Sequence, residues 1–508
     1  MHYIRPEFHS RRAFLRRSGQ LAFAGAAMPM AMNLVAMGEA AAQAAPVGED
    51  YKALVCVFLY GGNDYANTVV TYDDPSYNLY SAVRGGGAGQ TAGGIALAKA
   101  DLTALAATTA GNRQYAFHPA MSGLTGLFNA GTAAVVLNTG PLVVPMTRAQ
   151  YFGANRTAYP LPPKLFSHND QQSLWQSSSP EGSTVGWGGN IGDLALSQNS
   201  KSLFTCISIT GNAVFLSGDT ALSYQVGSGG ATKINSAVDG SYPLGFLGVS
   251  AAMKNIITGA RPSNNLENEY NIVTKRAIEA EVGITAAIDS TKAVNNVYPA
   301  PFDGFPAGNS LSDQMRMVAR LIAGRKNSAI GAKRQVFMVS LGGFDCHDNL
   351  VTKQAELMKK LSDAMTAFQG AMAHPSINLS NNVTAFTASD FGRTLTSNGD
   401  GSDHGWGGHQ IVVGGAVNGK QFHGYAPPVA AGDKNSVLPI DAWQVGQGRL
   451  LPTTSVDQYA ATLAKWFGVP DAQLGDIVPN LRNFGGGDLT VNSEVFKYPK
   501  TLGFMKVA

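Results

Sequence analysis

The octapeptide ALVCVFLY at residues 53–60 is apolar without interruption, and GGNDYANT follows it at residues 61–68. A short, continuous apolar run that ends at glycines is typical of a strand covered on both faces. Four further runs have the same character: AAVVLN (133–138), QVFMVSL (335–341), VTAFT (383–387) and QIVVGG (410–415). These five runs predict the strands of a largely parallel sheet.

Two segments between these runs carry apolar residues at helical spacing. One contains Leu311, Met315, Val318 and Ile322, and the other contains Leu357, Leu361, Met365 and Phe368. Alternating strands and helices predict an α/β fold in which helices cover both faces of the sheet. Residues from 177 to about 250 are instead rich in Gly, Ser and Thr, which indicates an insertion with minor β structure, and a lid is one interpretation of it.

The first 44 residues have the three parts of an export signal. A twin arginine lies in SRRAFLRR (10–17), a run of small apolar residues follows, and Ala42-Gln43-Ala44 has the form of a cleavage site. We therefore predict a twin-arginine signal peptide over residues 1–44, a passage through the twin-arginine translocase, and a periplasmic or extracellular location.

The rest of the chain gives no indication of nucleic-acid binding or of a membrane span. The five arginines and two glutamates of the leader account for the whole formal charge of +3, so the mature chain is neutral. Nucleic-acid binding, which needs a basic face, is not indicated. No other apolar run is long enough to cross a bilayer, so we expect no transmembrane segment in the mature chain. The three cysteines, Cys56, Cys206 and Cys346, allow one disulfide at most, or three buried thiols.

Acidic residues and histidines follow the predicted strands. They lie in GGNDYANT (61–68), GGFDCHDN (342–349), ASDFGRT (388–394) and GSDHGWGGHQ (401–410), and the candidate metal ligands are Asp64, Asp345, His347, Asp390, Asp403, His404 and His409. Ligands bind beyond the carboxyl ends of the strands in an open parallel sheet. Imidazoles with carboxylates suit Zn, Mn or Fe, and more carboxylate favours Mn, Mg or Ca. A divalent metal is the predicted cofactor.

The nucleophile and the anion-binding groups have several candidates. Ser167 in LFSHNDQQSLWQ (165–176) precedes a helical segment, where it is either a nucleophile or a helix N-cap. Thr147 in PMTRAQYF (145–152) and Thr68 in GGNDYANT are the other hydroxyl candidates. His168 is a ligand, an oxyanion donor or a packed surface histidine. Arg148 and Arg393 each either bind a phosphate or sulfate, or pair with a structural carboxylate.

The motif series resembles a known family over nearly the whole mature chain. YGGNDYANTVV, FSHNDQQ, LGGFDCHDN, SDFGRT, SDHGWGGH and GGAVNGKQFHG, in this order, are similar to the domain-of-unknown-function 1501 family. That family is grouped with the alkaline phosphatase and sulfatase superfamily. The resemblance implies twin-arginine export and one alkaline phosphatase-like domain over residues 45–508, a three-layer sandwich with a mostly parallel central sheet.

The resemblance also implies roles for individual residues. Asp64 and Asp390 would be metal ligands, Asp345 and His347 would be the acid and histidine that precede Asp390, and His404 or His409 would supply the last imidazole. The chain departs from the superfamily where Phe391 stands in place of a ligating histidine. The slot of the sulfatase's modified cysteine falls near Val144, so a formylglycine mechanism is not indicated.

Two classes of function follow from these residues and from the resemblance. The first is an exported metal-dependent hydrolase that acts on a small-molecule or glycan ester of phosphate or sulfate; transfer of the same group is a variant of it. The alternative is a non-catalytic envelope scaffold or binding protein that keeps the core without turnover.

Overall fold

The computed structural model describes residues 50–85, 94–109, 111–232, 249–261 and 263–506, and the predicted signal peptide lies outside them. The strands are β1 Lys52–Tyr60, β2 Val69–Thr71, β3 Ala104–Thr108, β4 Gln114–Phe117, β5 Ala133–Gly140, β6 Cys206–Ser208, β7 Tyr224–Gln225, β8 Arg334–Gly342, β9 Val383–Ser389, β10 Gly408–Val413, β11 Phe422–His423, β12 Thr454–Ser455, β13 Asp488–Val491 and β14 Glu494–Lys497. The helices are α1 Tyr65–Thr68, α2 Asp74–Val83, α3 Ser122–Asn129, α4 Arg148–Phe152, α5 His168–Ser177, α6 Trp187–Ala195, α7 Val249–Thr258, α8 Asn265–Ile288, α9 Ser310–Ala323, α10 Leu350–Ala373, α11 Val456–Phe467 and α12 Leu474–Ile477.

The central sheet is mixed and mostly parallel. Its strand order is β11-β5-β10-β9-β1-β8-β6-β7, with β12 beside β5. Strand β1 pairs in parallel with β8 and β9, whereas β10 runs antiparallel between β9 and β5. The five apolar runs are β1, β5, β8, β9 and β10, so the prediction of five strands is confirmed.

Both faces of the central sheet are buried, which explains why its strands read as continuous apolar runs. In β1, Val55 and Val57 contribute to the hydrophobic cluster on one face, and Cys56 and Phe58 contribute to the cluster on the other. Residues of α3, α8, α9 and α10 belong to the first cluster, and residues of α5, α6, α11 and α12 belong to the second. The predicted α/β three-layer arrangement is confirmed.

The register of the parallel strands brings three loops together. Tyr60 at the end of β1 lies opposite Gly342 at the end of β8, and Leu59 lies opposite Ser389 at the end of β9. The loops that begin at residues 61, 343 and 390 therefore leave the sheet side by side. These loops carry most of the predicted metal ligands.

The segment predicted as an insertion contributes to the central sheet where it is described. Helix α6 packs on the second face, and β6 pairs in parallel with β8. Residues 233–248 of the segment lie outside the described residues. The bounds of the insertion and its role as a lid stay predictions.

The cysteines and the helices bear on two further predictions. Cys56, Cys206 and Cys346 are buried free thiols, and burial raises the pKa of each. The sequence left open one disulfide or three buried thiols, and the structure has three buried thiols. Among the described residues, no helix is both long enough and apolar enough to cross a membrane.

Candidate metal centre

Two glycines allow the loops after β1, β8 and β9 to approach one another. Gly61 has φ +115°, and a Cβ atom on it would lie 2.4 Å from the backbone nitrogen of Asp345. A Cβ atom on Gly401 would lie 2.2 Å from the carbonyl carbon of His347. No side chain fits at either position without moving the neighbouring backbone. The glycines of the GGN and GSDHG motifs thus bring Asp345 and His347 close to the other loops.

Three imidazoles converge on the carboxylate of Asp345. The Nε2 atoms of His347 and His404 lie 3.1 and 3.2 Å from Asp345 Oδ1, and His168 Nε2 lies 3.5 Å from Oδ2. His347 Nε2 and His404 Nε2 are 3.0 Å apart. The side chains of His168 and His404 are 28% and 25% exposed, and that of Asp345 is 44% exposed, so solvent reaches the group. The four side chains form what we call the histidine cluster: His168, Asp345, His347 and His404.

The Nδ1 atom of each ring in the cluster faces an oxygen atom. His168 Nδ1 lies 2.6 Å from Asp390 Oδ2, His404 Nδ1 lies 2.8 Å from the Phe166 carbonyl oxygen, and His347 Nδ1 lies 3.3 Å from Asp403 Oδ1. A carbonyl oxygen only accepts, so His404 carries its proton on Nδ1 and directs the Nε2 lone pair toward the cluster. Anchoring one ring nitrogen on an oxygen is the pattern that fixes the tautomer of metal-binding histidines.

The position of the Phe166 carbonyl depends on an uncommon backbone conformation. Phe166 has φ +74°, in the left-handed region that bulky residues rarely adopt. Such conformations persist where the surrounding structure imposes them, often at functional sites. Arg449 helps to hold Phe166 next to His404. Its guanidinium lies 5.3 Å from the Phe166 ring centroid, and its Nε donates to the His404 carbonyl oxygen at 2.7 Å.

Asp390 lies behind His168 and is fully buried. Its Oδ2 atom accepts from His168 Nδ1, from Gln172 Nε2 at 2.9 Å and from Gly61 N at 3.2 Å, whereas its Oδ1 atom has no hydrogen-bond partner within the described part of the chain. The hydrogen bond to Asp390 raises the pKa of His168 and outweighs burial, which lowers it. The sequence interpretation missed Gln172, although it lies four residues after His168 and therefore on the same face of α5.

Arg393 positions Asp345 from beneath. This fully buried side chain donates from Nη1 to Asp345 Oδ1 at 2.9 Å and to the Gly61 carbonyl oxygen at 3.0 Å, and from Nε to Ser402 Oγ at 3.0 Å. Burial by itself raises the pKa of Asp345, but the hydrogen bond and charge of Arg393 outweigh it and hold that pKa below its usual range. Of the two roles left open for Arg393, pairing with a carboxylate is the one observed.

The donors of the cluster fit a divalent metal. His168, Asp345 and His404 each offer a ligand atom within 4.8 Å of the others. The His404 Nε2 lone pair faces Asp345 Oδ1, and two acceptors at 3.2 Å repel unless a cation or a proton lies between them. Burial lowers the pKa of His404 and outweighs the hydrogen bond to the Phe166 carbonyl oxygen, which raises it; a second proton, on Nε2 of that ring, is therefore disfavoured. Imidazoles with one carboxylate suit Zn, Fe or Mn.

Asp64 and His409 lie outside this group of ligand atoms. Arg84 engages both oxygens of the Asp64 carboxylate, from Nη1 at 2.6 Å and Nη2 at 2.7 Å, and both side chains are buried. His409 lies inside β10, where its Nδ1 accepts from the backbone nitrogen of Asn138 at 3.0 Å. Tyr65 and Tyr115 contact the His409 ring edge-on. Asp64 and His409 therefore make contacts within the protein core. Asp403 lies at the edge of the histidine cluster, where it contacts His347.

The hydroxyl candidates take part in local hydrogen bonds. Thr147 is the N-cap of α4 and forms a capping box with Gln150. Ser167 occupies the N-cap position of α5, but its hydroxyl donates to Asp170 Oδ2 at 2.9 Å rather than capping the helix. Arg148 donates to the backbone carbonyls of Gln444 and Asp433. Ser167 is thus the hydroxyl next in sequence to the cluster, and the structure shows no contact of Thr147 or Arg148 with it.

The comparisons with known proteins match a family model and several solved structures. The model of the family described as "Protein of unknown function (DUF1501)" matches residues 280–477. A search of curated proteins found no match. The matched residues include Asp345, His347, Asp390, Asp403 and His404, whereas His168 precedes them.

Three solved structures are similar over most of their length. Ps i-CgsB in complex with k-i-k-neocarrahexaose has 8% identity and a TM-score of 0.31, with 85% of this chain and 76% of that chain covered. BT33494S-sulf, from work on glycosaminoglycan metabolism in Bacteroides thetaiotaomicron, has 9% identity, a TM-score of 0.32, and 85% and 74% coverage. BT1596, described as a 2-O GAG sulfatase, has 10% identity, a TM-score of 0.26, and 84% and 74% coverage. At these identities the likeness concerns the fold alone.

Proposed function

We propose that the chain is an exported metal-dependent hydrolase of phosphate or sulfate esters. The observation that carries the proposal is the convergence of three imidazole Nε2 atoms on the Asp345 carboxylate at 3.1–3.5 Å. A divalent metal held there would supply a Lewis acid for the ester oxygen and a nucleophile at neutral pH. The twin-arginine signal predicted from the sequence supports the exported location.

The residues around the cluster have separate roles in this proposal. Asp390 accepts the Nδ1 proton of His168, which directs Nε2 outward for metal binding. Arg393 neutralises part of the charge of Asp345 and fixes its orientation. The exposed side of Asp345 and His347 leaves room for a small-molecule or glycan ester to approach.

The nucleophile is assigned to water, with Ser167 as the alternative. The Ser167 hydroxyl lies beside His168 in sequence and donates to Asp170, a carboxylate that accepts a proton. A Ser167→Ala variant separates the two: turnover that persists in it assigns the attack to water, and turnover that disappears with metal content unchanged assigns it to the serine.

A non-catalytic scaffold or binding protein is the second candidate. Phe391 favours it, because its ring lies 4.9 and 4.7 Å from the centroids of the His168 and His404 rings, at the position where the superfamily has a ligating histidine. An apolar ring there reduces the number of ligands that the cluster can offer. This candidate expects metal binding without turnover, or no metal.

Hydrolysis of a panel of aryl phosphates, aryl sulfates and sulfated oligosaccharides tests the proposal. The metal-loaded protein is compared with His404→Ala and with His374→Ala, a matched control whose histidine makes a local hydrogen bond with Ser376. We expect turnover of at least one ester by the protein and by His374→Ala, and its loss in His404→Ala. Metal-loaded protein that turns over no ester supports the second candidate instead.

A further inference from the structure

The N-terminal half of helix α8 carries an exposed apolar stripe. Leu266, Tyr270 and Val273 are 82%, 65% and 58% exposed, and Ala277 is also exposed. Their spacing of four, three and four residues places them on one face of the helix. Large apolar side chains that are exposed singly are normal, but a contiguous stripe of them marks a surface for interaction.

The two halves of α8 differ in their surroundings. In the C-terminal half, Ala280, Ile284 and Ile288 are buried in the core. The N-terminal half packs against α7 through Asn271, whose Nδ2 donates to the Ile256 and Gly259 carbonyl oxygens at 3.0 and 2.7 Å. Asn271 points away from the stripe, since it is five residues from Leu266 and one from Tyr270 on a 3.6-residue turn. The contact with α7 therefore leaves the stripe uncovered by the residues that the structure describes.

We propose that this stripe binds the same stripe of a second copy of the chain, with the two helices antiparallel. The apolar residues alternate by four and three, as the core positions of a coiled coil do. In an antiparallel pair, Leu266 lies opposite Ala277 of the second copy and Tyr270 lies opposite Val273, so small and large residues alternate across the interface. The arrangement has twofold symmetry, in which each copy contributes the same surface.

The charges beside the stripe set the direction of the helices. Glu269 and Arg276 flank the stripe on the same side and are seven residues apart, two turns of the helix. Antiparallel packing places Glu269 of one copy against Arg276 of the other, and symmetry repeats this pair. Parallel packing would instead place Glu269 near the uncharged Thr274, and Arg276 near Glu281, which is buried within its own chain and accepts from Thr285 Oγ1. Charges that flank a helix pair in this way determine partner choice and orientation.

The size of the stripe sets the expected strength. From Leu266 to Ala277 the helix rises about 17 Å. Four side chains from each copy bury less than the roughly 1,200 Å² of a standard stable interface. We therefore expect a reversible dimer whose population depends on protein concentration.

Sedimentation velocity of the purified protein over a range of concentrations tests the proposal. We expect a monomer–dimer equilibrium that Leu266→Asp with Tyr270→Asp abolishes. Glu269→Arg and Arg276→Glu should each weaken the dimer at least about tenfold, because like charges then face each other, and the double variant should restore it. Glu279→Arg, the same charge change off the stripe, should have no effect. All these positions are exposed, so circular dichroism and thermal melting should be unchanged.

Four results would overturn the proposal. They are a monomer at every concentration, a dimer that survives the two aspartates in the stripe, a charge-swapped double variant no better than the single ones, and binding of the monomer to phosphatidylglycerol vesicles through the stripe. The last result would assign the stripe to a lipid surface instead. The test does not involve the metal centre, so it is independent of the proposed activity.

Discussion

Replacing Arg84 with methionine leaves the Asp64 carboxylate buried without a counter-charge, and we expect it to lower the free energy of unfolding at pH 7 by about 4 kcal/mol. The Arg84 side chain is fully buried and that of Asp64 is 2% exposed. Both carboxylate oxygens accept from the guanidinium at 2.6 and 2.7 Å, and Nη1 also donates to Asn67 Oδ1 at 2.9 Å. Methionine keeps most of the volume and removes every one of these donors.

The magnitude follows from what is left behind. Breaking a buried ion pair by removing one partner costs roughly 3–5 kcal/mol, because the remaining charge has lost both water and partner. Replacing both residues, as Asp64→Asn with Arg84→Met, removes the stranded charge. We expect the double variant to be about 2 kcal/mol more stable than Arg84→Met, because the effects of substitutions at residues in contact do not add.

Urea unfolding followed by circular dichroism measures these differences from the midpoint and the slope. Arg482→Met is the matched control, because Arg482 forms an ion pair with Asp476 in which the side chains are 67% and 73% exposed. An exposed pair contributes at most about 1 kcal/mol. Equal losses in the two single variants, or a double variant less stable than Arg84→Met, would refute the description of Asp64 and Arg84 as a buried pair.

Three further predictions concern acid stability, metal affinity and loop packing. Burial lowers the pKa of His409 to about 3, so as the pH falls His409 is protonated in the unfolded chain before it is protonated in the folded chain. The free energy of unfolding should therefore fall by up to roughly 5 kcal/mol as the pH drops from about 6.5 toward 3. The variant His409→Gln should flatten this dependence in urea titrations at successive pH values. Asp390→Asn should weaken metal binding about 10- to 100-fold in chelator competition, because it disturbs the partner of the His168 ring; unchanged affinity would contradict that role. Gly401→Ala should reduce metal binding by displacing the His347 backbone, whereas Gly370→Ala, with open space around it in α10, should keep the metal and not lower thermal stability.

The strands were predictable from the sequence because burial on both faces produces a simple signal. In β9 every residue is buried, and in β1 every residue between the two ends is buried, so charged residues are absent from β9 and confined to the first position, Lys52, of β1. The parallel register then implied that the loops after β1, β8 and β9 would meet. This is why the association of Asp345 with His347 and His404 was predictable without coordinates.

The roles of the individual side chains in the site were not predictable, because they depend on contacts between residues that are far apart in the sequence. Arg84 follows Asp64 by 20 residues, and no local pattern in the sequence shows that it reaches that carboxylate. His168 lies 222 residues from Asp390, and FSHNDQQ does not show which of its side chains faces the sheet edge. His409 had a usable signal, since it directly precedes the apolar QIVV run; it is the second residue of β10 and a core position rather than a loop position.

Elemental analysis of the purified protein by mass spectrometry tests the central claim most directly. The comparison is between the protein, Asp345→Ala with His404→Ala, and His374→Ala as the control. The histidine cluster predicts about one equivalent of Zn, Mn or Fe in the protein and in the control, and its loss in the double variant. Metal that remains in the double variant, or no metal in any of the three after reconstitution, would contradict the assignment of His168, Asp345, His347 and His404 as a metal centre.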